Sequence, residues 1–122
     1  TLGTAVSGTL TNPSETRVLR FTGAVGQRLY FDSLDVDYDS ISALIVGPSG
    51  NTVLSNNNAS YDRDLFTLTE AGTYYLVLSG TGTTGTPDYN FNLLTPPTTN
   101  LAFDTAITAN LAAQETELYQ FT

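Results

Sequence analysis

The chain has 122 residues, of which 40% are hydrophobic and 13% are charged, and its formal net charge at pH 7 is −8. This size and composition predict one folded domain, and the negative charge argues against nucleic acid or an anionic membrane as a partner. The absence of His and Cys excludes His-based catalysis, His- or thiolate-ligated metals and disulfides, and no apolar run approaches the roughly 20 residues of a membrane span.

Short runs of alternating polar and apolar residues, separated by Gly, Pro, Asn and Asp, begin near the start of the chain. Such alternation is typical of strands with one face in a core and the other in water. Strands this short and this evenly spaced predict an all-β fold, an antiparallel β-sandwich of the jelly-roll type. The eight predicted strands cover residues 4–11, 15–22, 27–34, 41–47, 52–55, 64–69, 73–80 and 87–94.

The seventh predicted strand differs from the others because residues 74–78 (YYLVL) are apolar on both faces. This run predicts a central strand that is covered on both sides. After the eighth strand, residues 95–100 read TPPTTN. Because two adjacent prolines cannot continue a strand interior, we expect a linker at residues 96–100.

The sequence after this linker repeats the sequence at the start of the chain. Residues 115–122 read ETELYQFT and residues 15–22 read ETRVLRFT, so that Phe121 matches Phe21 at a separation of 100 positions. With a one-residue gap, Ile107 and Leu111 match Val6 and Leu10. These matches preserve the apolar alternation, although two unrelated strands can resemble each other by chance.

The repeat predicts a tandem array with a period of about 100 residues. Residues 1–95 would form one complete sandwich, 96–100 a Pro-rich linker, and 101–122 the first two strands of a following repeat. Two strands separated from their domain are marginally stable. We therefore expect residues 101–122 to be held by β-pairing, either within the chain or by strand-swapped association with a second copy.

Three segments resemble the bacterial pre-peptidase C-terminal domain family and occur in that family's order: RFTGAVGQRLYFD (20–32), SALIVGPSGNTVLSNN (42–57) and EAGTYYLVLSGTG (70–82). The most specific of them contains Gly72 to Val77. The resemblance implies a non-catalytic, jelly-roll-like β-sandwich that accompanies secreted peptidases or recurs in surface proteins. In that family some members bind polymeric substrates and some bind calcium. This chain has Asn56–Asn58 where the family often has acidic residues.

Acidic residues alternate in two predicted loops. Calcium takes six to eight oxygen ligands, which clustered loop carboxylates and amides can supply. The alternative is a solvated acidic turn that ends strands. The candidate metal ligands are Asp35, Asp37, Asp39, Asp62 and Asp64.

Tyr38, Tyr61 and Asn57 also lie in these predicted loops. They are candidates for binding a polysaccharide or a protein, whereas tyrosines inside strands fit core packing better. An enzyme is not expected, because no serine has a His base and most Asp residues lie in one or two turns. The sequence therefore predicts a secreted or cell-surface bacterial module, either a spacer or accessory domain beside neighbouring repeats or a binding module.

Overall fold

The computed structural model describes residues 1–113 and 115–121, and it is all-β over these residues. Ten strands occur over the described residues: the first eight lie in the segments that alternate in hydrophobicity, and the last two lie in the predicted linker and in the tail. Their bounds are β1 Val6–Thr9, β2 Thr16–Gly23, β3 Arg28–Ser33, β4 Ile41–Val46, β5 Thr52–Asn56, β6 Arg63–Thr67, β7 Gly72–Gly80, β8 Asp88–Leu94, β9 Thr98–Asn100 and β10 Leu118–Gln120.

Strands β1 to β8 form two antiparallel sheets of four strands each. One sheet has the order β1-β8-β3-β6 and the other β2-β7-β4-β5. Consecutive strands alternate between the sheets except at β4 and β5, which form a hairpin within one sheet. This order is that of a jelly roll, so the predicted fold class is confirmed, and all eight predicted strands occur within two residues of their predicted ends.

The core lies between the two sheets and is built from the inward-facing residue of each alternating pair. Phe31 of β3 stacks on Phe91 of β8, with ring centroids 5.3 Å apart. The other sheet contributes Tyr74, which stacks on Phe21 at the same centroid distance. The largest fully buried side chains are Tyr74, Phe31, Phe91, Leu10, Leu29, Ile41, Ile45, Leu68, Leu76, Leu78 and Asn56.

Strand β7 is central, as its sequence predicts, because it pairs with β2 on one edge and β4 on the other. The prediction that both its faces are covered was wrong. Tyr74, Leu76 and Leu78 are buried, whereas Tyr75 is exposed on the outer face. Aromatic and β-branched residues favour strands even on a solvated face, so an apolar outer row does not require a covering layer.

The predicted linker contains a strand. Thr98–Asn100 form β9, which pairs in parallel with β10. Residues 118–120 of the tail are therefore held by β-pairing within the chain. Thr122, which matches Thr22 in the sequence repeat, lies outside the described residues.

Candidate functional site

Two loops meet at one end of the sandwich: the β3–β4 loop of residues 34–40 and the β5–β6 loop of residues 57–62. The side-chain oxygen of Asn58 accepts hydrogen bonds from the amide and hydroxyl of Ser60, at 3.1 and 2.7 Å, which folds the second loop into a turn. The same oxygen lies 3.4 Å from the amide nitrogen of Asp39, which donates to it from the first loop. Asn58 thus joins the two loops.

Tyr38 and Tyr61 project from these loops and contact each other. Their rings meet edge to face with centroids 6.0 Å apart, and their hydroxyl oxygens are 3.5 Å apart. Tyr38 is 70% exposed and Tyr61 is 53% exposed. Asn57 is exposed in the same loop as Tyr61. The structure therefore brings the two predicted ligand-binding tyrosines into one exposed aromatic pair.

Hydrogen bonds from side chains to the backbone hold this pair in place. Asn56 is buried, and its side-chain nitrogen donates to the carbonyl oxygen of Tyr61 at 2.9 Å. On the other loop, the Thr81 hydroxyl donates to the carbonyl of Asp39 at 3.1 Å, and Asp39 has a φ of 56°. Asp and Asn adopt this left-handed conformation more readily than most residues, which accounts for an Asp beside Tyr38.

The predicted calcium ligands do not converge on one point. Asp37 accepts a hydrogen bond from the amide of Asp88 at 2.9 Å, and Asp62 accepts from the amide of Ser33 at 2.8 Å. Asp35, Asp39 and Asp64 are exposed. Over residues 1–113 and 115–121, no three acidic side chains form a group that could hold a metal ion. Two of the five carboxylates thus bond main-chain amides, and the calcium site stays a prediction.

Sequence reasoning missed a polar cluster on the outer face of β3. Asp32 is buried there, and burial, followed by the charge of Asp62, raises the pKa of its carboxyl group. Tyr30 donates its hydroxyl to Asp62 at 2.9 Å. Burial and then this hydrogen bond raise the Tyr30 pKa to about 12. The strand alternation places Tyr30 and Asp32 on one face, but only the position of Asp62 in another loop creates the cluster.

A glutamate contact in a turn near the start of the chain has a counterpart in the tail, and this was not visible in the sequence. Between β1 and β2, Glu15 accepts hydrogen bonds from the amide and hydroxyl of Thr11, which follows Leu10. In the tail, Glu115 accepts from the amide of Ala112, which follows Leu111, at 2.7 Å. The amides of Glu15 and Glu115 each donate back across the turn, to Asn12 and Ala112 respectively, at 3.2 Å.

Apolar residues of the tail are exposed although their counterparts near the start of the chain are buried. Leu111 is 62% exposed, whereas Leu10 is fully buried. Phe121 is 68% exposed, whereas Phe21 packs against the core. Phe103 and Phe121 meet edge to face with centroids 5.9 Å apart, but neither ring is covered by the sandwich. The tail therefore presents an unpaired apolar surface.

Comparison with family models and with curated protein sequences finds no match. The fold is similar to that of PliG of Salmonella Typhimurium, described as a periplasmic lysozyme inhibitor of g-type lysozyme. The two chains share 18% sequence identity with a TM-score of 0.53, over 74% of this chain and 89% of PliG. This likeness shows a shared fold. None of the described residues belongs to a helix long and apolar enough to cross a membrane.

Proposed function

We propose that residues 1–95 are one repeat of a tandem β-sandwich array and that residues 101–122 are the first two strands of the following repeat. The observation that carries this proposal is a glutamate-to-amide contact across a turn at both places, with a spacing of four residues in the first and three in the second. Thr11 and Glu15 make the contact in the first copy, and Ala112 and Glu115 make it in the second. The matching apolar residues on either side of this turn make a chance resemblance between two strands a poorer explanation.

The exposed tail residues support the same proposal energetically. Burying a leucine or phenylalanine side chain stabilises a protein by about 1.5–3 kcal/mol. Leu10 obtains this stabilisation from the core, and Leu111 does not. A second sandwich built on residues 101–122 would bury Leu111, Ile107 and Phe121 as the first one buries or packs their counterparts.

The role that we propose for such an array is structural: an acidic, Cys-free spacer or accessory domain of a secreted or surface bacterial protein. The sequence supports a non-catalytic role because it contains no His and no Cys. The periplasmic description of PliG, which has the same fold, is in line with a location outside the cytoplasm. The resemblance to pre-peptidase C-terminal domains points to the same kind of module.

This proposal can be tested with a longer chain. In that chain, residues 1–122 are followed directly by a second copy of residues 23–95. If residues 101–122 replace 1–22, the addition completes a second sandwich. The calorimetric enthalpy of unfolding should then be about twice that of the 122-residue chain, since this enthalpy scales with folded length. The matched control carries Leu111→Asp, which should leave the second copy unfolded. An unchanged enthalpy in the longer chain would refute the array.

The exposed pair of Tyr38 and Tyr61 favours a second candidate function, a binding module for a polysaccharide or a protein. Tyr is enriched at protein binding surfaces, and here two exposed tyrosine rings contact each other. PliG is described as an inhibitor of another protein, which makes a protein ligand one of the alternatives. Calcium bound by the loop carboxylates would make such binding calcium-dependent.

Glycan arrays and pull-downs from extracellular fractions test this candidate. Tyr38→Ala and Tyr61→Ala should each abolish a captured ligand. Tyr75→Ala is the matched control, because Tyr75 is also exposed but lies on the outer face of β7. Equal capture by all three variants would rule out the aromatic pair as the binding site. Repeating the measurement with a chelator separates calcium-dependent from calcium-independent binding.

A further inference from the structure

The pairing of β9 with β10 uses only one edge of β10. The amide of Leu118 donates to the carbonyl of Pro97 at 3.0 Å, and the amide of Leu101 donates to the carbonyl of Gln120 at 2.7 Å. Leu118 and Gln120 therefore direct their backbone groups at β9. Because these groups alternate sides along a strand, Tyr119 between them directs its N–H and C=O to the opposite edge. Within the part of the chain that the structure describes, neither of these groups has a backbone partner.

The corresponding strand of the first repeat, β2, shows what belongs at each edge. The amide of Gly80 at the end of β7 donates to the carbonyl of Glu15, and the β2–β7 register continues without a break. By alternation, Leu19 faces β7, opposite Leu76, whereas Val18 and Arg20 direct their backbone groups away from it. Strand β2 is at the edge of its sheet, so the side of Val18 and Arg20 is unoccupied there.

Strands β10 and β2 correspond residue by residue. The sequence repeat matches Leu118, Tyr119 and Gln120 with Val18, Leu19 and Arg20. Strand β9 thus occupies the edge of β10 that corresponds to the free outer edge of β2. In the first repeat, β7 occupies the other edge of β2, on the side of Leu19. The corresponding edge of β10, on the side of Tyr119, is open.

The apolar side chains beside this open edge also fit a strand of the β7 type. In the first repeat, Phe21 stacks on Tyr74 of β7 with centroids 5.3 Å apart. Its counterpart Phe121 is largely exposed and contacts Phe103 instead. An antiparallel strand with the β7 pattern would pair with Tyr119 and cover Phe121.

We propose that the open edge of β10 is the binding site for the β7-type strand of the following repeat, and that β9 becomes the fifth strand of that repeat's sheet. This inference rests on the tandem array proposed above and adds its junction. Strand β9 follows β8 after three residues, so the two repeats would be joined by a backbone ladder. The junction would be ordered by hydrogen bonds, and the orientation between repeats would be restricted.

Amide hydrogen exchange tests the open edge. In the 122-residue chain, the amides of Leu118 and Leu101 should be protected and that of Tyr119 should exchange freely. In the longer chain with the second copy of residues 23–95, Tyr119 should become protected as well. If the second sandwich folds while Tyr119 still exchanges freely, the proposed edge is wrong although the array stands. If the second sandwich does not fold, the array itself fails.

Light scattering on the 122-residue chain shows whether a second copy of the chain, and not the strand of a following repeat, occupies the open edge of β10. A monomer with an unprotected Tyr119 amide is expected. A dimer in which this amide is protected would assign the edge to a second copy, by strand exchange, and would overturn the proposed occupant.

Two separate proline substitutions in β9 test its role. In the parallel ladder Thr99 directs its N–H at β10, whereas Thr98 directs its N–H away. In the longer chain, Thr99→Pro should remove the protection of Leu118 and Leu101 while leaving both sandwiches folded, and Thr98→Pro should preserve this protection. Equal protection in both variants would exclude β9 from the sheet of the second repeat.

Discussion

The hydroxyl group of Tyr30 on β3 donates a hydrogen bond of 2.9 Å to the carboxylate of Asp62 in the β5–β6 loop. The other oxygen of the same carboxylate accepts from the amide of Ser33 at 2.8 Å. One side chain thereby fastens a loop that carries Tyr61 to a strand of the core. The position of the exposed aromatic pair thus depends on a contact made by Asp62, the residue that follows Tyr61.

The Tyr30–Asp62 contact predicts a loss of stability at alkaline pH. The pKa of Tyr30 rises to about 12 in the folded protein, from about 10 in an unfolded chain. A raised pKa stabilises the protonated folded state below pH 10, and this contribution is lost as the pH rises toward 12. Tyr30→Phe should flatten this decline in urea unfolding free energies measured from pH 9 to 12. An identical decline in Tyr30→Phe and in wild type would contradict the assignment.

The turn at Glu15 predicts the opposite behaviour in acid. Hydrogen bonds from the hydroxyl and amide of Thr11, followed by Arg17, lower the Glu15 pKa to about 2. A lowered pKa contributes stability above the unfolded value, and this contribution is lost as the pH falls from about 4.5 toward 2. Glu15→Gln should therefore show a shallower loss of stability over this range. Glu115→Gln is the matched control, because the same turn in the tail supports no sandwich core.

The stacked pair of Phe31 and Phe91 predicts a large cost for truncating the core. Phe91→Ala should destabilise the protein by about 3–5 kcal/mol, because it removes a buried ring and leaves a cavity. Phe103→Ala removes an equally large side chain that is mostly exposed, and it should change stability by only about 0.5 kcal/mol. Chemical unfolding of both variants gives the comparison, and similar costs would show that the two rings do not differ in burial.

Asn56 is buried and holds the β5–β6 loop through its side chain. Replacing it should therefore loosen the loop without changing any exposed side chain. Asn56→Ala leaves the carbonyl of Tyr61 without its donor and should cost about 1–3 kcal/mol. It should also speed exchange of the loop amides of residues 58–62. Ser55→Ala, on the exposed face of the same strand, is expected to do neither. A loop that keeps its protection in Asn56→Ala would show that other contacts hold Tyr61.

The candidate site was predicted in part. The loop positions of Tyr38 and Tyr61 follow from the turn residues around them, and the structure brings them together. Their contact did not follow from the sequence, because residues 23 positions apart meet only when the β3–β4 and β5–β6 loops lie at the same end of the sandwich. The contacts of the acidic residues also did not follow from the sequence. Their alternation predicts a metal site, which stays a prediction, and it did not indicate that Asp37 and Asp62 each accept from a different backbone amide.

The amino-acid sequence was sufficient to predict the eight strands, the sandwich and the matching tail, because strand alternation has a period of two and turns require particular residues. The tertiary structure alone decided the rest. It left the outer face of β7 exposed, formed a strand inside the predicted linker and paired it with one edge of β10. These features depend on which backbone edges and loop ends meet in space. A local pattern can predict where a strand lies in the sequence. Only the assembled sheets determine which of its two edges is paired.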